Sequence, residues 1–564
     1  MSIGLTITFI FCIIFARLFY VQIAWGSDLK ERATDQWNRE IPVIASRGII
    51  TDRNGVVLAG NRTTYSVFLR PNAVKDAENT ASVLSEIFSV DKTEILKKIE
   101  TGKISEFTVA RQVEKESVEK LVSYDLAGVY YSRDNSRSYT YNEALCQVLG
   151  FTASDGLGLS GVEKYYDTIL SGTNGEISYT TDILGIETDN SVVVYREATD
   201  GDEIRLTIDI DIQLSAENAM KSVYTSSGAK AVSCIVLNPQ NFDILAMVNY
   251  PSYDLNDVPR DDPEALNKYS RNALVSDIYE PGSTFKVVTA AANIEEYLNG
   301  NSKAFSNSYV FNGSRTRTVD GTKIKCWSAH TNGKHQNQTL AQALNNSCNP
   351  CFTDIALSLG SQTFYKYLKN FGFGNVTGLD FNGEALGMLV PQTSVRDCDL
   401  ARIGFGQTVA VTGIQLACAV GAAVNGGNYY VPHLLKSVVS SNGKSVSENN
   451  VILKNKAISE KASSILREML EGVVRDGSGK HAYIEGYKVG GKTGTAQKYE
   501  DGHVASGKYV SSFCGFFPAN NPQYLALIVV DEPQGTYYGS AVAAPVAKEI
   551  FEDIIKIKNI ERYE

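Results

Sequence analysis

The hydrophobic pattern of the chain opens with one long apolar segment. Residues 3–25 are almost entirely apolar, and only Arg17 and Gln22 interrupt them. Because about twenty apolar residues span a bilayer as a helix, we predict a single-pass membrane anchor at residues 1–26. A cleaved signal peptide is the alternative, but it requires a basic start, which this sequence does not have. No Lys or Arg precedes the segment, so the positive-inside rule does not predict its orientation.

Apolar runs in the second half of the chain predict strands at its beginning and end, with helices between them. The predicted elements are four strands, at Ala231 to Leu237, Ile244 to Asn249, Tyr509 to Phe517 and Tyr524 to Asp531, and an amphipathic closing helix at Ala544 to Lys556. The first two strands flank the turn-forming residues 238–241 and therefore predict a hairpin. This order predicts an α+β fold in which helices sandwich an antiparallel sheet.

The first half of the chain has a mixed pattern, with short strand-like runs and a charged helical stretch around Lys92 to Lys103. It contains no catalytic constellation, so we interpret residues 27–200 as an elongated pedestal domain with a docking or dimerisation role. The boundary is predicted near Asp200, and residues 201–560 form the predicted catalytic domain. A length of 564 residues exceeds that of one ordinary domain and agrees with this division.

One apolar helix follows a pair of helix breakers, and its first turn carries a candidate nucleophile. Pro281 and Gly282 end the preceding segment, and no breaker follows until Gly300, so a helix is predicted to start near Ser283. Residues three apart share a helix face, so Ser283 Oγ and Lys286 Nζ can converge at the helix N-terminus. The helix dipole favours developing negative charge there. A lysine whose pKa is lowered by burial or by a neighbouring cation can then activate the serine.

The Ser-x-x-Lys spacing is weak alone, because it recurs at five other places, namely Ser27/Lys30, Ser89/Lys92, Ser117/Lys120, Ser227/Lys230 and Ser441/Lys444. Two further motifs strengthen it. Ser347 to Asn349 lies between two helical runs and is predicted to be a turn. Lys492 to Thr495 follows two glycines, is predicted to lie on a strand, and contains the one Lys-Thr-Gly of the chain. The three motifs in this order are typical of penicillin-binding proteins and related serine β-lactamases.

The charge balance and the histidines narrow the classes of function. The formal net charge is −10, which argues against a nucleic-acid-binding protein because such a protein needs a basic face. The five histidines are scattered along the chain, so a Ser-His-Asp triad is not indicated.

The chain resembles a class B penicillin-binding protein nearly end to end. Arg47 to Gly55 is similar to the juxtamembrane motif of that family, and Gly158 to Glu163 is similar to its second pedestal motif. Gly404 to Gln407 resembles a further signature of the transpeptidase domain. The pair Cys326-Trp327 and the cysteine inside the second catalytic motif are most similar to the sporulation branch. No acidic glycosyltransferase motif precedes the catalytic half, which separates the sequence from class A.

The resemblance implies a serine D,D-transpeptidase that cross-links peptidoglycan, with roles for four catalytic residues. Ser283 would be acylated by the penultimate D-alanine of a stem peptide, releasing the terminal D-alanine. Lys286 would take the proton of Ser283. Ser347 would relay a proton toward the leaving amine, and Asn349 would hydrogen-bond the substrate amide.

The third motif is implied to bind the substrate. Lys492, Thr493 and Thr495 would hold the substrate carboxylate, and Lys492 would also lower the pKa of the lysine base. Gly494 would let two backbones approach each other. The backbone N–H groups of Ser283 and Thr495 would form an oxyanion hole, and the strand would accept the extended peptide by edge pairing.

The resemblance also implies partners and a location. The partners would be peptidoglycan stem peptides, β-lactam antibiotics, the cell membrane, and a membrane glycosyltransferase of the cell-shape, division or sporulation type. The catalytic domain would be extracytoplasmic, and the acyl transfer needs no cofactor. Three alternatives stay open: a non-catalytic scaffold that activates a membrane glycosyltransferase, a soluble β-lactamase, and a D,D-carboxypeptidase, which shares the chemistry and differs in its acceptor.

A cluster of cysteines lies beside the second motif. Cys326 with His330, and Cys348 with Cys351, form two short pairs of soft ligands that predict a tetrahedral zinc site. His335 could replace His330 in this set. A disulfide between Cys326 and Cys348, which the sporulation resemblance favours, and reduced buried thiols are the alternatives. The presence of Cys351 favours the metal, because a disulfide needs only two cysteines.

Overall fold

The structure is a computed structural model that describes residues 2–26, 38–101, 104–181, 187–313, 315–327, 335–500 and 503–562. The chain divides into two compact units. The smaller unit comprises Met1–Gly48 and Thr168–Asp202, and the larger one comprises Ile49–Asp167 and Glu203–Glu564. The domain boundary near Asp200 stays a prediction.

The smaller unit contains the apolar N-terminal helix and a three-stranded sheet. The helix runs over Ser2–Phe19 and continues as a π-helical turn, Tyr20–Ala24. Its stretch Gly4–Ile23 is long and apolar enough to cross a membrane, and none of it is buried. The sheet is antiparallel, in the order Asn38–Val43, Gly175–Thr181 and Glu187–Arg196.

A seven-stranded sheet in the larger unit joins distant parts of the chain. In spatial order its strands are Val446–Glu448, Leu435–Val439, Glu203–Leu206, Ile50–Thr51, Val57–Leu69 and Phe107–Val113, and Val129–Tyr139 also pairs with Val57–Leu69. The pairing of Ile50–Thr51 with Glu203–Leu206 is parallel, and the other pairings are antiparallel. Glu203–Leu206 therefore connects the first part of the chain to the second through backbone hydrogen bonds.

A five-stranded antiparallel sheet forms the framework of the second half. Its order is Ile244–Tyr250, Ala231–Leu237, Tyr524–Asp531, His503–Phe517 and Gly490–Glu500. Helices Ile210–Ser227 and Ala544–Ile557 pack on one face, in a core that includes Met220, Phe513 and Ile550. Side chains of neighbouring strand residues alternate between faces. Val236 belongs to that core, so its neighbour Leu237 points to the opposite face.

Helix Gly413–Val424 covers the opposite face of this sheet. A Cβ built on Gly421 of this helix would lie 3.7 Å from the Leu237 side chain. The α+β fold and the helix-covered antiparallel sheet predicted from the sequence are thereby confirmed. The predicted hairpin and the second strand pair are confirmed within a few residues, and the closing helix runs over Ala544–Ile557.

Shorter elements complete the described residues. The other helices and 3-10 turns are Pro71–Ala73, Ala77–Phe88, Lys92–Thr101, Lys115–Val122, Cys146–Leu149, Gly161–Tyr165, Asp167–Leu170, Pro263–Ser270, Ala273–Ser276, Gly282–Phe285, Lys286–Leu298, Leu340–Asn345, Asn349–Asn370, Asp397–Ile403, Glu460–Arg475, Lys480–Ala482 and Gly539–Val542. The other strands are Arg317–Val319, Thr322–Ile324, Met388–Leu389, Val409–Ala410, Asn428–Tyr430 and Leu453–Lys456.

Two buried acidic residues hold the motifs of the first half in place. Asp52 is fully buried, and its carboxylate accepts hydrogen bonds from the backbone N–H groups of Val56 at 2.8 Å and Ile210 at 3.2 Å. Glu163 accepts from Arg137 Nε at 2.6 Å, and the two side chains are 0% and 4% exposed. A buried ion pair of this kind is very sensitive to the loss of one partner.

We expect Glu163→Ala to lower the free energy of unfolding by about 3–5 kcal/mol, because the Arg137 guanidinium would be left buried without its counter-charge. Thermal denaturation of the purified full-length protein in detergent measures this effect as a clear fall in Tm. The matched control is Glu94→Ala, whose salt bridge to Lys98 is exposed and is worth about 0.3–0.5 kcal/mol. Equal Tm values for the two variants would contradict the expectation.

Candidate active site

Ser283 lies in a tight turn rather than in the first turn of an α-helix. Gly282–Phe285 is a 3-10 turn, and the α-helix begins at Lys286 and ends at Leu298. Gly282 has a φ of +55°, and a Cβ there would lie 3.2 Å from the carbonyl oxygen of Thr495. Glycine is therefore required, because the turn closely approaches the strand that carries the third motif.

Ser347 lies in the predicted turn between helices Leu340–Asn345 and Asn349–Asn370. Its φ is +53°, which places a residue with a side chain in the left-handed region. Such strain costs of order 1–3 kcal/mol and is concentrated at functional sites. The backbone of this turn therefore has the character of a functional segment.

The amine of Lys286 is fully buried and binds to this turn. It donates hydrogen bonds to Ser347 O at 2.8 Å, to Asn349 Oδ1 at 2.7 Å and to Ser347 Oγ at 3.2 Å. These three oxygens match the three N–H groups of an ammonium. Among the described residues no hydrogen bond joins Lys286 to Ser283 Oγ, so the direct contact expected from the helix spacing is not formed.

Lys492 approaches the same hydroxyl from the neighbouring strand. Its amine, also fully buried, donates to Ser347 Oγ at 3.0 Å and to Thr493 O at 3.1 Å. The Ser347 oxygen thus accepts from two lysine amines. A hydroxyl has two acceptor lone pairs and one donor, so the proton of Ser347 remains to be donated into the neighbouring cavity.

Burial shifts the titration of both lysines. It lowers the pKa of Lys286 to about 8. Burial, and secondarily the positive charge of Lys286, lower the pKa of Lys492 well below its ordinary value. Electrostatic repulsion acts equally on both partners, so the pair resists carrying two positive charges at once.

The third motif lies on the edge strand Gly490–Glu500. A Cβ on Gly494 would lie 2.9 Å from the carbonyl oxygen of Pro281, so glycine lets the strand contact the serine turn. Thr493 Oγ1 donates to Ser478 Oγ at 3.2 Å. Thr495 Oγ1 accepts from the N–H of Gly539 at 3.1 Å, which leaves its own proton to be donated to a ligand.

The three motifs line one cavity of about 570 Å³, a volume typical of ligand sites. Its lining residues from the predicted motifs are Ser283, Ser347, Asn349, Thr493, Gly494 and Thr495, and the others are Trp327, His335, Asn345, Asn346, Asp476, Gly477, Ser478, Lys480, His481, Tyr538 and Ser540. Lys286 and Lys492 are fully buried behind this lining. All eight residues assigned to catalysis and substrate binding therefore lie at one site.

Several lining residues were not predicted from the sequence. Ser478 follows helix Glu460–Arg475 and contacts Thr493 across the cavity wall. Trp327 Nε1 donates to Asn346 O at 2.9 Å. The glycines on both sides of Ser478 indicate a tight loop, but no spacing rule connects this loop or Trp327 with motifs so distant in sequence.

The predicted metal ligands are only partly brought together. Cys326 Sγ lies 3.1 Å from His335 Nδ1, and the ligand atoms of Cys326, His335 and Cys348 all lie within 4.8 Å of one another. His335 thus takes the position that the spacing assigned to His330, which lies outside the described residues. Cys351 is buried and hydrogen-bonded to Cys348, but it is not part of this three-residue group. Cys348 is a free thiol in the structure.

Comparisons with known proteins identify two family domains. Residues 232–552 match the penicillin-binding protein transpeptidase domain, and residues 42–206 match the penicillin-binding protein dimerisation domain. Stage V sporulation protein D of Bacillus subtilis is 37% identical over 548 residues, covering 96% of this chain and 83% of that protein. The peptidoglycan D,D-transpeptidase FtsI homolog of Mesostigma viride is 29% identical, covering 97% and 94%.

A solved structure shares the fold. Penicillin-binding protein 3 of Mycobacterium tuberculosis, complexed with aztreonam, superposes with a TM-score of 0.71 at 24% identity, covering 93% of this chain and 98% of that chain. The matched domains account for both halves of the sequence, and the transpeptidase match contains all three motifs around the cavity. The chain therefore belongs to the class B penicillin-binding proteins.

Proposed function

We propose that this chain is a membrane-anchored D,D-transpeptidase that cross-links peptidoglycan stem peptides through an acyl-enzyme on Ser283. The observation that carries the proposal is the bridge from Ser347 Oγ to the buried amines of Lys286 and Lys492, beside a cavity that Ser283 lines. The transpeptidase domain match and the D,D-transpeptidase relative support it.

The third motif binds the D-Ala-D-Ala end of the stem peptide. Gly490–Glu500 is the last strand of its sheet, and an extended peptide can pair with such an edge. The hydroxyl protons of Thr493 and Thr495 and the amine of Lys492 then surround the terminal carboxylate. The negative charge of that carboxylate stabilises the ammonium form of Lys492, so substrate binding raises the pKa that burial has lowered.

Acylation begins when the Lys286 ammonium loses a proton. Burial favours this loss, and it frees one of the three positions on Nζ as a lone pair. Ser283 Oγ attacks the carbonyl carbon of the penultimate D-alanine, and its proton passes to Lys286. The N–H groups of Ser283 and Thr495 stabilise the oxyanion, an effect typically worth about 2.7–4 kcal/mol per donor.

Breakdown of the tetrahedral intermediate releases the terminal D-alanine. The C–N bond breaks while the nitrogen receives the Ser347 proton, which the adjoining lysine ammonium replaces. An amine of a neighbouring stem peptide then attacks the ester, and Lys286 accepts its proton. The C–O bond to Ser283 breaks, the serine is protonated again, and a new amide bond closes the cross-link. β-Lactams acylate Ser283 by the same first step, with opening of the lactam C–N bond.

The cellular setting is proposed from the family and from one relative. The apolar helix Gly4–Ile23 anchors the chain in the cell membrane, with the catalytic half outside the cytoplasm, where the substrate is. The similarity to stage V sporulation protein D supports a role in the wall of the developing spore. A membrane glycosyltransferase, which would supply the glycan strands, is the proposed partner.

Ser283→Ala is expected to abolish covalent labelling by a fluorescent penicillin, because the acyl acceptor is removed. Gel fluorescence of the full-length protein after denaturation measures the label. Ser441→Ala is the matched control, since Ser441 and Lys444 share the Ser-x-x-Lys spacing but lie outside the cavity. Full labelling of Ser283→Ala would leave the scaffold alternative, and loss of labelling in the control would show that the assay does not report on this site.

The acylation rate is expected to rise about tenfold between pH 7 and pH 9 and then to level off. The folded-state pKa of Lys286 is lowered to about 8, so the neutral, basic form of the amine is gained as the pH rises through that value. Stopped-flow measurement of the second-order rate constant with a fluorescent penicillin tests this. A rate independent of pH over this range would exclude Lys286 as the titrating base, and Lys286→Arg should show no such rise.

Cells of the source organism that lack this protein are expected to show fewer peptide cross-links in the spore cortex and normal cross-links in the vegetative wall. Muropeptide analysis of both walls by chromatography and mass spectrometry measures the difference. Restoration by the wild-type chain and not by Ser283→Ala ties the effect to catalysis. A defect confined to the vegetative wall would overturn the sporulation role and keep the transpeptidase activity.

A further inference from the structure

We propose that Cys326, His335, Cys348 and Cys351 bind one structural Zn²⁺ ion directly behind the catalytic turn. The site does not depend on the proposed function, because it is argued from the ligand side chains alone. Thiolates and an imidazole are the ligands that Zn²⁺ prefers in closed tetrahedral sites.

The distances suit a tetrahedral metal. Zn–S bonds of about 2.3 Å and Zn–N bonds of about 2.0–2.1 Å place ligand atoms roughly 3.5–3.8 Å apart. The ligand atoms of Cys326, His335 and Cys348 lie within 4.8 Å of one another. Cys351 follows Cys348 by three residues at the start of helix Asn349–Asn370, and its thiol is hydrogen-bonded to that of Cys348. A small side-chain rotation therefore brings the fourth ligand into place.

The cluster is closed to solvent. Cys326 and His335 are 6% and 8% exposed, and Cys348 and Cys351 are fully buried. Structural zinc sites have four protein ligands and no open position, in contrast to catalytic sites. A disulfide would involve only two of the three thiols and would give the neighbouring imidazole no role.

A set of polar groups supports the ligands from outside. Gln338 Nε2 donates to His335 O at 2.9 Å and to Cys351 Sγ at 3.8 Å. Gln338 Oε1 accepts from Asn346 Nδ2 at 2.8 Å. A Cβ on Gly313 would lie 2.6 Å from Cys348 Sγ, so this glycine makes room for the thiol. Such outer contacts orient metal ligands and are typical of built metal sites.

The ion would connect two walls of the catalytic cavity. Cys348 stands between Ser347 and Asn349, which bind the amine of Lys286. Cys326 precedes Trp327, whose indole lines the cavity. Coordination of both cysteines would hold the Trp327 wall against the catalytic turn.

The test measures metal in the full-length protein purified in detergent with reductant and without chelator. Mass spectrometry of the metal content is expected to give about one zinc per chain in wild type and in Cys418→Ala. Cys418 is an equally buried cysteine outside the cluster. Cys326→Ala and His335→Ala are expected to retain at least tenfold less zinc. Equal zinc in these variants, or no zinc in wild type, overturns the proposal.

A second measurement on the wild-type protein avoids the risk that a variant misfolds. Replacement of the metal by Co²⁺ is expected to give the thiolate charge-transfer absorbance and intense visible bands of a tetrahedral site. Titration of thiols in denaturant with chelator should find all nine cysteines reduced. The absence of these bands, or two thiols fewer in a zinc-free protein, would replace the metal site with a disulfide.

Discussion

The active site depends on one interaction, the acceptance of two buried lysine amines by the hydroxyl of Ser347. Burying an ammonium is strongly unfavourable unless oxygens surround it, and the left-handed backbone at Ser347 supplies a carbonyl and a hydroxyl at once. Asn349 supplies a third oxygen. The same desolvation keeps the Lys286 amine close to neutrality. Strain in the turn and the reactivity of the lysine are therefore two results of one arrangement.

The rest of the fold brings this turn, the serine turn and an edge strand to one place. The five-stranded sheet positions Lys492, because its strand is paired along one side with His503–Phe517. The other side of that strand closely approaches the serine turn, and two glycines, Gly282 and Gly494, remove the side chains that would obstruct it. The helix that begins at Asn349 fixes the end of the Ser347 turn.

Much of this was predictable from sequence, since local patterns determine local structure. Alternating apolar runs located the sheet strands, and three short motifs located eight residues around the cavity. The start of the helix was placed three residues early, because breakers indicate where a helix can begin and do not distinguish a 3-10 turn from an α-helical one. Lys286 bonds to Ser347 rather than to Ser283, a tertiary preference that helix spacing cannot contain. His335 rather than His330 meets Cys326 for the same reason, and Ser478 and Trp327 join the site only through folding.

The strand Glu203–Leu206 has a mechanical consequence. It is bonded on one side to Ile50–Thr51 and on the other to Leu435–Val439, so the polypeptide enters its second half inside a rigid sheet and not through a slack tether. A load applied near Ile50 would pass across a few amide hydrogen bonds to the segment around residue 435. Swivelling at this crossing would require breaking those bonds together, which makes the junction stiff.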